Sequence, residues 1–152
     1  MNNLYRNILP VFLVLQALFL ASPSAARAQE MTCPTPLPVS IDVKPVDTAN
    51  KINLSSKGVL PVAVLSRPDF DASQFMPVMA HLQDAVAPMD CSGAAAVRRA
   101  YSDVNGDGLV DLVFFFRVQD LSFTSSTTEV MLMAHNAEGS HIMGTDAVIV
   151  KP

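Results

Sequence analysis

The chain has 152 residues, half of them hydrophobic and 16% charged, and its formal net charge at pH 7 is −4. An acidic balance of this kind disfavours nucleic acids and anionic membranes as partners. The sequence also lacks the GxSxG motif of serine hydrolases, the HExxH motif of zinc proteases and a phosphate-binding glycine loop. We therefore predict that the protein is not an enzyme.

Residues 1–28 have the pattern of a secretory signal peptide. Arg6 provides a positively charged start, residues 8–21 are uncharged and mostly apolar, and residues 26–28 (Ala-Arg-Ala) form a small-x-small cleavage site. The apolar run contains Pro10 and is shorter than the about 20 residues of a transmembrane helix. We expect cleavage after this site and an exported chain, in the periplasm, outside the cell or at its surface. The mature chain then has 8 basic and 14 acidic side chains, a net charge of −6 and no transmembrane segment.

The mature chain has two cysteines, Cys33 and Cys91. Export exposes them to an oxidising compartment, so we predict that they form a disulfide. In the chain-entropy model, closing a loop of this length stabilises a fold by about 4 kcal/mol. Two free thiols are the alternative, and the absence of a CxxC motif argues against a redox or zinc role.

The first part of the mature chain predicts a lead-in followed by two strands. Prolines keep residues 29–38 extended, and residues 39–152 are long enough for one domain. Residues 40–44 alternate polar and apolar side chains, which is typical of a half-buried strand. After a polar loop at 47–57, the continuous apolar run at 59–65 predicts a strand buried on both faces.

The middle of the chain is less regular. Residues 67–72 predict a turn in which Asp69 and Asp71 are turn and cap residues. A carboxylate pair for acid-base chemistry is the alternative, but no second catalytic element accompanies it. Residues 75–86 fit a short strand or a helical turn, and residues 94–101 fit a helix by composition or a strand.

The last part of the chain predicts a hairpin. Residues 129–136 have the pattern of a strand, residues 137–139 of a turn and residues 142–150 of a returning strand. Short strands separated by turns, without helical periodicity, indicate an all-β fold, and we predict a small antiparallel β-sandwich.

Residues 103–111, here called the aspartate loop, have the ligand spacing of a calcium-binding loop. Counting Asp103 as position 1, Gly108 stands at position 6, where such loops bend sharply. The predicted oxygen ligands stand at positions 1, 3, 5, 7 and 9: Asp103, Asn105, Asp107, the backbone carbonyl of Leu109, and Asp111. Phe114 occupies position 12 instead of a bidentate Glu, and the β-prone residues 112–118 follow. The sequence therefore predicts an EF-hand-like loop without helices, which binds Ca²⁺ and precedes a core strand.

A metal-free hairpin turn is the alternative, because Asn-Gly at 105–106 and Asp-Gly at 107–108 are dipeptides of tight turns. Such a turn has no use for Asp103 and Asp111, and three carboxylates within nine residues repel one another without a counter-ion. We therefore favour a calcium-binding module with a structural or adhesion-type role at the cell surface or in the periplasm. Its further partner would be another surface protein or a glycan.

Five segments together resemble a module of secreted bacterial and archaeal proteins, among them Asp69-Phe70-Asp71 and Gly139 with Gly144-Thr145-Asp146. Residues 41–45 (Ile-Asp-Val-Lys-Pro) are similar to its opening Ile-Asp-Ile-Lys-Pro-Gly strand. Residues 57–65 (Lys-Gly-Val-Leu-Pro-Val-Ala-Val-Leu) are similar to its Gly-Val-Ile-Pro-Val-Ala-Ile-Leu strand, and the aspartate loop is similar to its Asp-x-Asp-Gly-Asp loop. The resemblance implies an exported, non-catalytic β-domain of unassigned role. Val46 stands where the module has Gly, and the segment around Cys91 departs from the pattern.

The strand predicted at 129–136 suggests a second kind of site. By the two-residue period of a strand, its methionines and histidine share one face, and the returning strand adds two more donors. These residues are Met131, Met133, His135, His141 and Met143. Thioether and imidazole groups suit copper, so a periplasmic copper-binding protein is an alternative function. A methionine-rich packing face, or a metal-free protein-interaction module, explains the same residues without copper.

Overall fold

The computed structural model describes residues 35–89 and 92–152. These residues form ten β-strands: β1 Leu37–Pro38, β2 Ile41–Val43, β3 Lys51–Asn53, β4 Val59–Val64, β5 Pro77–Asp84, β6 Ala94–Ser102, β7 Asp111–Arg117, β8 Glu129–Asn136, β9 His141–Ala147 and β10 Ile149–Lys151. Their helical segments are two single turns of 3₁₀ helix, Ala72–Gln74 and Val118–Asp120. The predicted all-β class is confirmed.

Two predictions fall outside the described residues. The signal segment at 1–28 lies there, as do both cysteines, Cys33 and Cys91. Cleavage and disulfide formation therefore stay predictions. Within residues 35–89 and 92–152, no helix is long and apolar enough to cross a membrane.

Eight of the strands form one curled sheet in the order β1-β9-β8-β5-β6-β7-β4-β2, and β10 pairs with β3. β6 links two layers, because its start at Ala94 and Ala95 pairs with β5 and its remainder pairs with β7. β1 and β2 are consecutive in the chain yet stand at opposite ends of this order, so the sheet folds back on itself. Near the two ends, β9 packs closely against β2. A Cβ added to Gly144 of β9 would lie only 2.6 Å from Cγ2 of Ile41 in β2. The result is the predicted β-sandwich.

Most strand pairs are antiparallel, but two short pairs are parallel: β1 with β9 and β3 with β10. β1 lies in the lead-in at 29–38, and β3 lies in the predicted polar loop at 47–57. The returning strand predicted at 142–150 divides at Val148, whose N–H donates to the carbonyl of Thr128 at 2.9 Å, and β10 then pairs with β3. Strands of two or three residues between polar turns leave no periodic signal in a sequence.

The core lies between the two layers and takes alternate residues from the strands. The inward side chains of β4, β7 and β8 are Leu60, Val62, Val64, Leu112, Phe114, Phe116, Val130, Leu132 and Ala134. Each large apolar side chain among them stabilises the fold by roughly 1.5–3 kcal/mol. On the other face of β7, Val113 is buried, and the guanidinium of Arg98 lies 3.9 Å from the ring centroid of Phe115. β7, the strand that follows the aspartate loop, is thus covered on both faces.

Both segments that fitted either helix or strand are strands. Residues 75–86 contain β5, and residues 94–101 lie in β6. The alanine-rich composition of β6 favours a helix in isolation, but its neighbours β5 and β7 offer backbone partners that override this weak preference. The turn at 67–72 is also confirmed, since Asp71 Oδ1 accepts a 2.9 Å hydrogen bond from Ser73 N and caps the first 3₁₀ turn.

Pro61 lies inside β4 at a local edge of the sheet. A proline within a strand indicates an edge or a bulge because it has no N–H to donate. The pairing of β2 with β4 ends at Val43 and Val62, and just beyond it Lys44 N donates to the carbonyl of Pro61 at 2.9 Å. The nitrogen of Pro61 faces the same side, where β2 has already ended, so the sheet loses no hydrogen bond there.

Candidate functional site

The aspartate loop connects β6 with β7 at one end of the sandwich. The two strands pair as far as Ser102 and Asp111, and the residues between them are mostly exposed. Gly106 and Gly108 have φ angles of 77° and 87°, the left-handed conformation that favours glycine. The loop therefore bends at two adjacent turns, as the Asn-Gly and Asp-Gly dipeptides predict.

Asp103 organises the first half of the loop through its carboxylate. Its Oδ1 accepts a hydrogen bond from Gly106 N at 2.7 Å, and its Oδ2 accepts one from Gly108 N at 2.9 Å. Backbone hydrogen bonds, the strongest from Gly108, hold the pKa of Asp103 below its usual range. The group is thus ionised at neutral pH and lies on the exposed side of the loop.

Asn105 and Asp107 make a reciprocal contact in the second half of the loop. Asn105 Oδ1 accepts from Asp107 N at 3.0 Å, and Asn105 Nδ2 donates to Asp107 Oδ2 at 2.9 Å. Asp107 Oδ1 accepts from Leu109 N at 2.8 Å. Each of these oxygens has one local donor and keeps a second lone pair that a cation could use.

Asp111 differs from the other aspartates of the loop because it is fully buried. Its Oδ1 accepts from Ser66 N at 2.8 Å, and its Oδ2 accepts from Val104 N at 3.0 Å. Ser66 Oγ donates to the carbonyl of Val110 at 2.6 Å and accepts from Ala72 N at 2.9 Å. Asp111 and Ser66 thus fasten the base of the loop to the chain that follows β4.

The described residues contain no group of three or more His, Cys, Asp or Glu side chains arranged to hold a metal ion. Of the five predicted ligands, the loop keeps the side chains of Asp103, Asn105 and Asp107 on its exposed side, whereas Asp111 faces the interior. Ser66 was missed because nothing in the sequence around it indicates that a carboxylate 45 residues away accepts its N–H.

The predicted methionine and histidine residues share one face of the sheet with residues of β5. In an antiparallel pair, directly opposed residues point to the same side. The register places three rows of three side chains across β5, β8 and β9. These rows, together called the methionine and histidine face, are Met79, His135 and His141; His81, Met133 and Met143; and Gln83, Met131 and Thr145.

This face is the outer side of its layer. Val130 and Leu132 of β8 belong to the core, whereas Met131 and Met133 alternate with them. Met131 and Met133 are nevertheless only 4% and 6% exposed. The sequence identified five of the nine residues. It missed Thr145 of β9 and the three residues of β5, since the β5 segment showed no clear strand period.

Contacts between rings and polar atoms order the histidines and the glutamine of the face. The rings of His135 and His141 stack with centroids 5.4 Å apart. His81 Nδ1 lies 3.0 Å from the carbonyl of Gly93. Gln83 Nε2 donates to the carbonyl of Pro88 at 2.8 Å, while its buried Oε1 has no hydrogen-bond partner among the residues described.

No protein-family model matches this chain, and no curated protein matches it in sequence.

Proposed function

We propose that the protein is an exported, non-catalytic calcium-binding β-sandwich module, with a structural or adhesion-type role at the cell surface or in the periplasm. The observation that supports it is the aspartate loop, which presents Asp103, Asn105 and Asp107 on an exposed double turn in front of a core strand. Its secreted character rests on the signal-peptide pattern and on the resemblance to the secreted β-module.

The donor chemistry of the loop favours a hard cation. Asp103 and Asp107 are carboxylates, Asn105 adds an amide oxygen, and the backbone carbonyl of Leu109 follows at the spacing of a calcium loop. The loop is short of the six to eight oxygens that Ca²⁺ takes, so water completes the shell and the affinity falls near 10⁻⁴ to 10⁻³ M, roughly that of extracellular modules.

Asp111 has a supporting role in this proposal. Because Asp111 is fully buried and its oxygens accept the N–H groups of Ser66 and Val104, it holds the base of the loop in place instead of pointing at the ion. The two turn glycines let the chain bend without strain, and the hydrogen bonds to Asp103 hold the first turn closed before a cation arrives. A prearranged loop loses less conformational entropy on binding.

Thermal unfolding with and without calcium tests the proposal. A cation that binds only the folded loop stabilises it by mass action, by about 2.7 kcal/mol at a free concentration 100 times the dissociation constant. We expect saturating Ca²⁺ to raise the melting temperature of the mature protein by several degrees. Mg²⁺ should raise it much less, because Mg²⁺ requires a tighter octahedral shell and releases water reluctantly.

Matched variants locate the effect. Asp107→Ala should abolish the calcium response with little change in calcium-free stability. Asp69→Ala is the control, since Asp69 is an acidic residue with a 76% exposed side chain in a turn outside the loop. Equal melting temperatures of the wild type in calcium and in chelator would show that the loop is only a turn.

A further inference from the structure

We propose that the methionine and histidine face is a second binding site, specific for a soft monovalent metal ion of the Cu(I) type. All three histidines of the chain lie on this face, together with four methionines. Three separate strands contribute them, and only the register of the folded sheet brings them together. The site is independent of the aspartate loop.

The centre of the site is the group of Met133, His135, His141 and Met143. His135 opposes His141, and Met133 opposes Met143, in the next row. Opposed Cβ atoms lie about 5 Å apart and residues two apart in a strand about 7 Å apart, so each Cβ is roughly 4 Å from the centre of this rectangle. An ion above that centre is within reach of two thioethers and two imidazoles, which is a four-ligand set.

The donor types select a soft ion. None of the nine side chains on the face is a carboxylate, so the face offers nothing to compensate a hard divalent cation. Thioether sulfur is a ligand of Cu(I), whereas Mg²⁺ and Ca²⁺ require oxygen. The face therefore discriminates against the ion that the aspartate loop is proposed to bind.

Burial on the outer side of the sheet supports a ligand role. Met133 lies outside the main core cluster, yet its side chain is only 6% exposed, so little solvent reaches it. An apolar shell around a metal site limits solvent access and tunes the ion. His135 and His141 are half-buried, and their rings stack with centroids 5.4 Å apart.

Titration of the mature protein with Cu(I), delivered anaerobically from a competing chelator, tests the site. Ag(I) serves as a redox-inert second probe. We expect one ion per chain, together with shifts of the methyl carbon signals of Met133 and Met143 in the NMR spectrum of wild-type protein labelled at methionine. Absence of uptake, or uptake without these shifts, would overturn the proposal.

Conservative variants assign the ligands. Met133→Leu with Met143→Leu keeps the volume of the side chains, so the fold should survive, and we expect at least a tenfold loss of Cu(I) affinity. The control is Met76→Leu with Met89→Leu, because these two methionines are exposed and lie outside the face; it should bind as the wild type does.

Two further outcomes separate this site from other sources of binding. Cys33→Ser with Cys91→Ser should retain Cu(I) uptake; loss of uptake in that variant, with the Met133→Leu and Met143→Leu protein still binding, would assign the ion to the thiols and refute the proposal. The calcium response of the methionine variant should equal that of the wild type, since the aspartate loop is unchanged.

Discussion

The aspartate loop and the methionine and histidine face differ both in their donor atoms and in how the chain builds them. The loop offers oxygen from nearly adjacent residues, whereas the face offers sulfur and nitrogen from three strands that span Met79 to Thr145. The loop therefore depends on local turns, and the face depends on strand register. The difference shows why one site is readable from a short motif and the other becomes complete only in the fold.

The two regions are also stabilised differently. The loop is anchored by the buried carboxyl group of Asp111, whose two oxygens accept backbone N–H groups. The face has no such anchor, and its strands stay aligned because Leu132 and Ile142 of the same strands are fixed in the core. Substitutions can therefore perturb either region while sparing the other.

The largest effect should come from removing the anchor of the loop. Asp111→Ala leaves the buried N–H of Ser66 and the partly buried N–H of Val104 without an acceptor, and a buried unsatisfied donor costs about 1–3 kcal/mol. We expect the free energy of unfolding to fall by about 3 kcal/mol in urea denaturation.

The matched control for this variant is Asp107→Ala, an exposed aspartate of the same loop. It should change the calcium-free stability by no more than about 0.5 kcal/mol. If both variants were equally stable, Asp111 would not be the anchor.

A smaller loss of stability should follow from Gly144→Ala, which tests the methionine and histidine face. The new Cβ would lie 2.6 Å from Ile41 Cγ2 and 2.7 Å from the carbonyl of Val39, so β9 must shift away from β2. Overpacking of this kind costs about 1–3 kcal/mol. We expect destabilisation in urea denaturation together with weaker Cu(I) binding, because β9 carries His141 and Met143.

The calcium response of Gly144→Ala should persist, because the clash lies between β9 and the residues Val39 and Ile41, whereas the aspartate loop connects β6 with β7. The control is Gly139→Ala in the turn between β8 and β9, where an added Cβ meets nothing within 4 Å but the φ of 81° is unfavourable for alanine. A calcium response that disappeared with the copper response would contradict the independence of the two sites.

The smallest effect concerns pH. The pKa of Asp103 is lowered in the fold by backbone hydrogen bonds, so its contribution to stability is fully present above about pH 4, the unfolded value. The contribution is lost as the pH falls through the lower folded value. Asp103→Asn should therefore flatten the decline of the melting temperature on the acid side.

The pKa of Asp42 is shifted in the opposite direction to that of Asp103, so the effects of the two groups on the melting temperature must be separated. Burial, followed by the charges of Asp146 and Asp111, raises the pKa of Asp42. Its effect favours the folded state at low pH and is lost as the pH rises through the raised value. Measuring Asp103→Asn in an Asp42→Asn background isolates the loop; an unchanged acid decline there would contradict the assigned role of Asp103.

The sequence by itself determined the elements that carry strong local signals. The bounds of β8, the turn that ends at Gly139 and the strand behind the aspartate loop follow from alternation, turn residues and a continuous apolar run, which are properties of neighbouring residues. The all-β class follows from the same signals. Nothing beyond the chain's own local chemistry is needed for them.

Only the tertiary structure decided what distant segments do to one another. The pairing of β3 with β10, the burial of Asp111 against Ser66 and the alignment of His81 with Met133 join residues 45 to about 100 positions apart. The physical reason is that a backbone N–H donates to any acceptor of the right geometry, and a strand edge pairs with any strand of the right geometry. Which distant segments become partners is decided when the whole sandwich closes around its core.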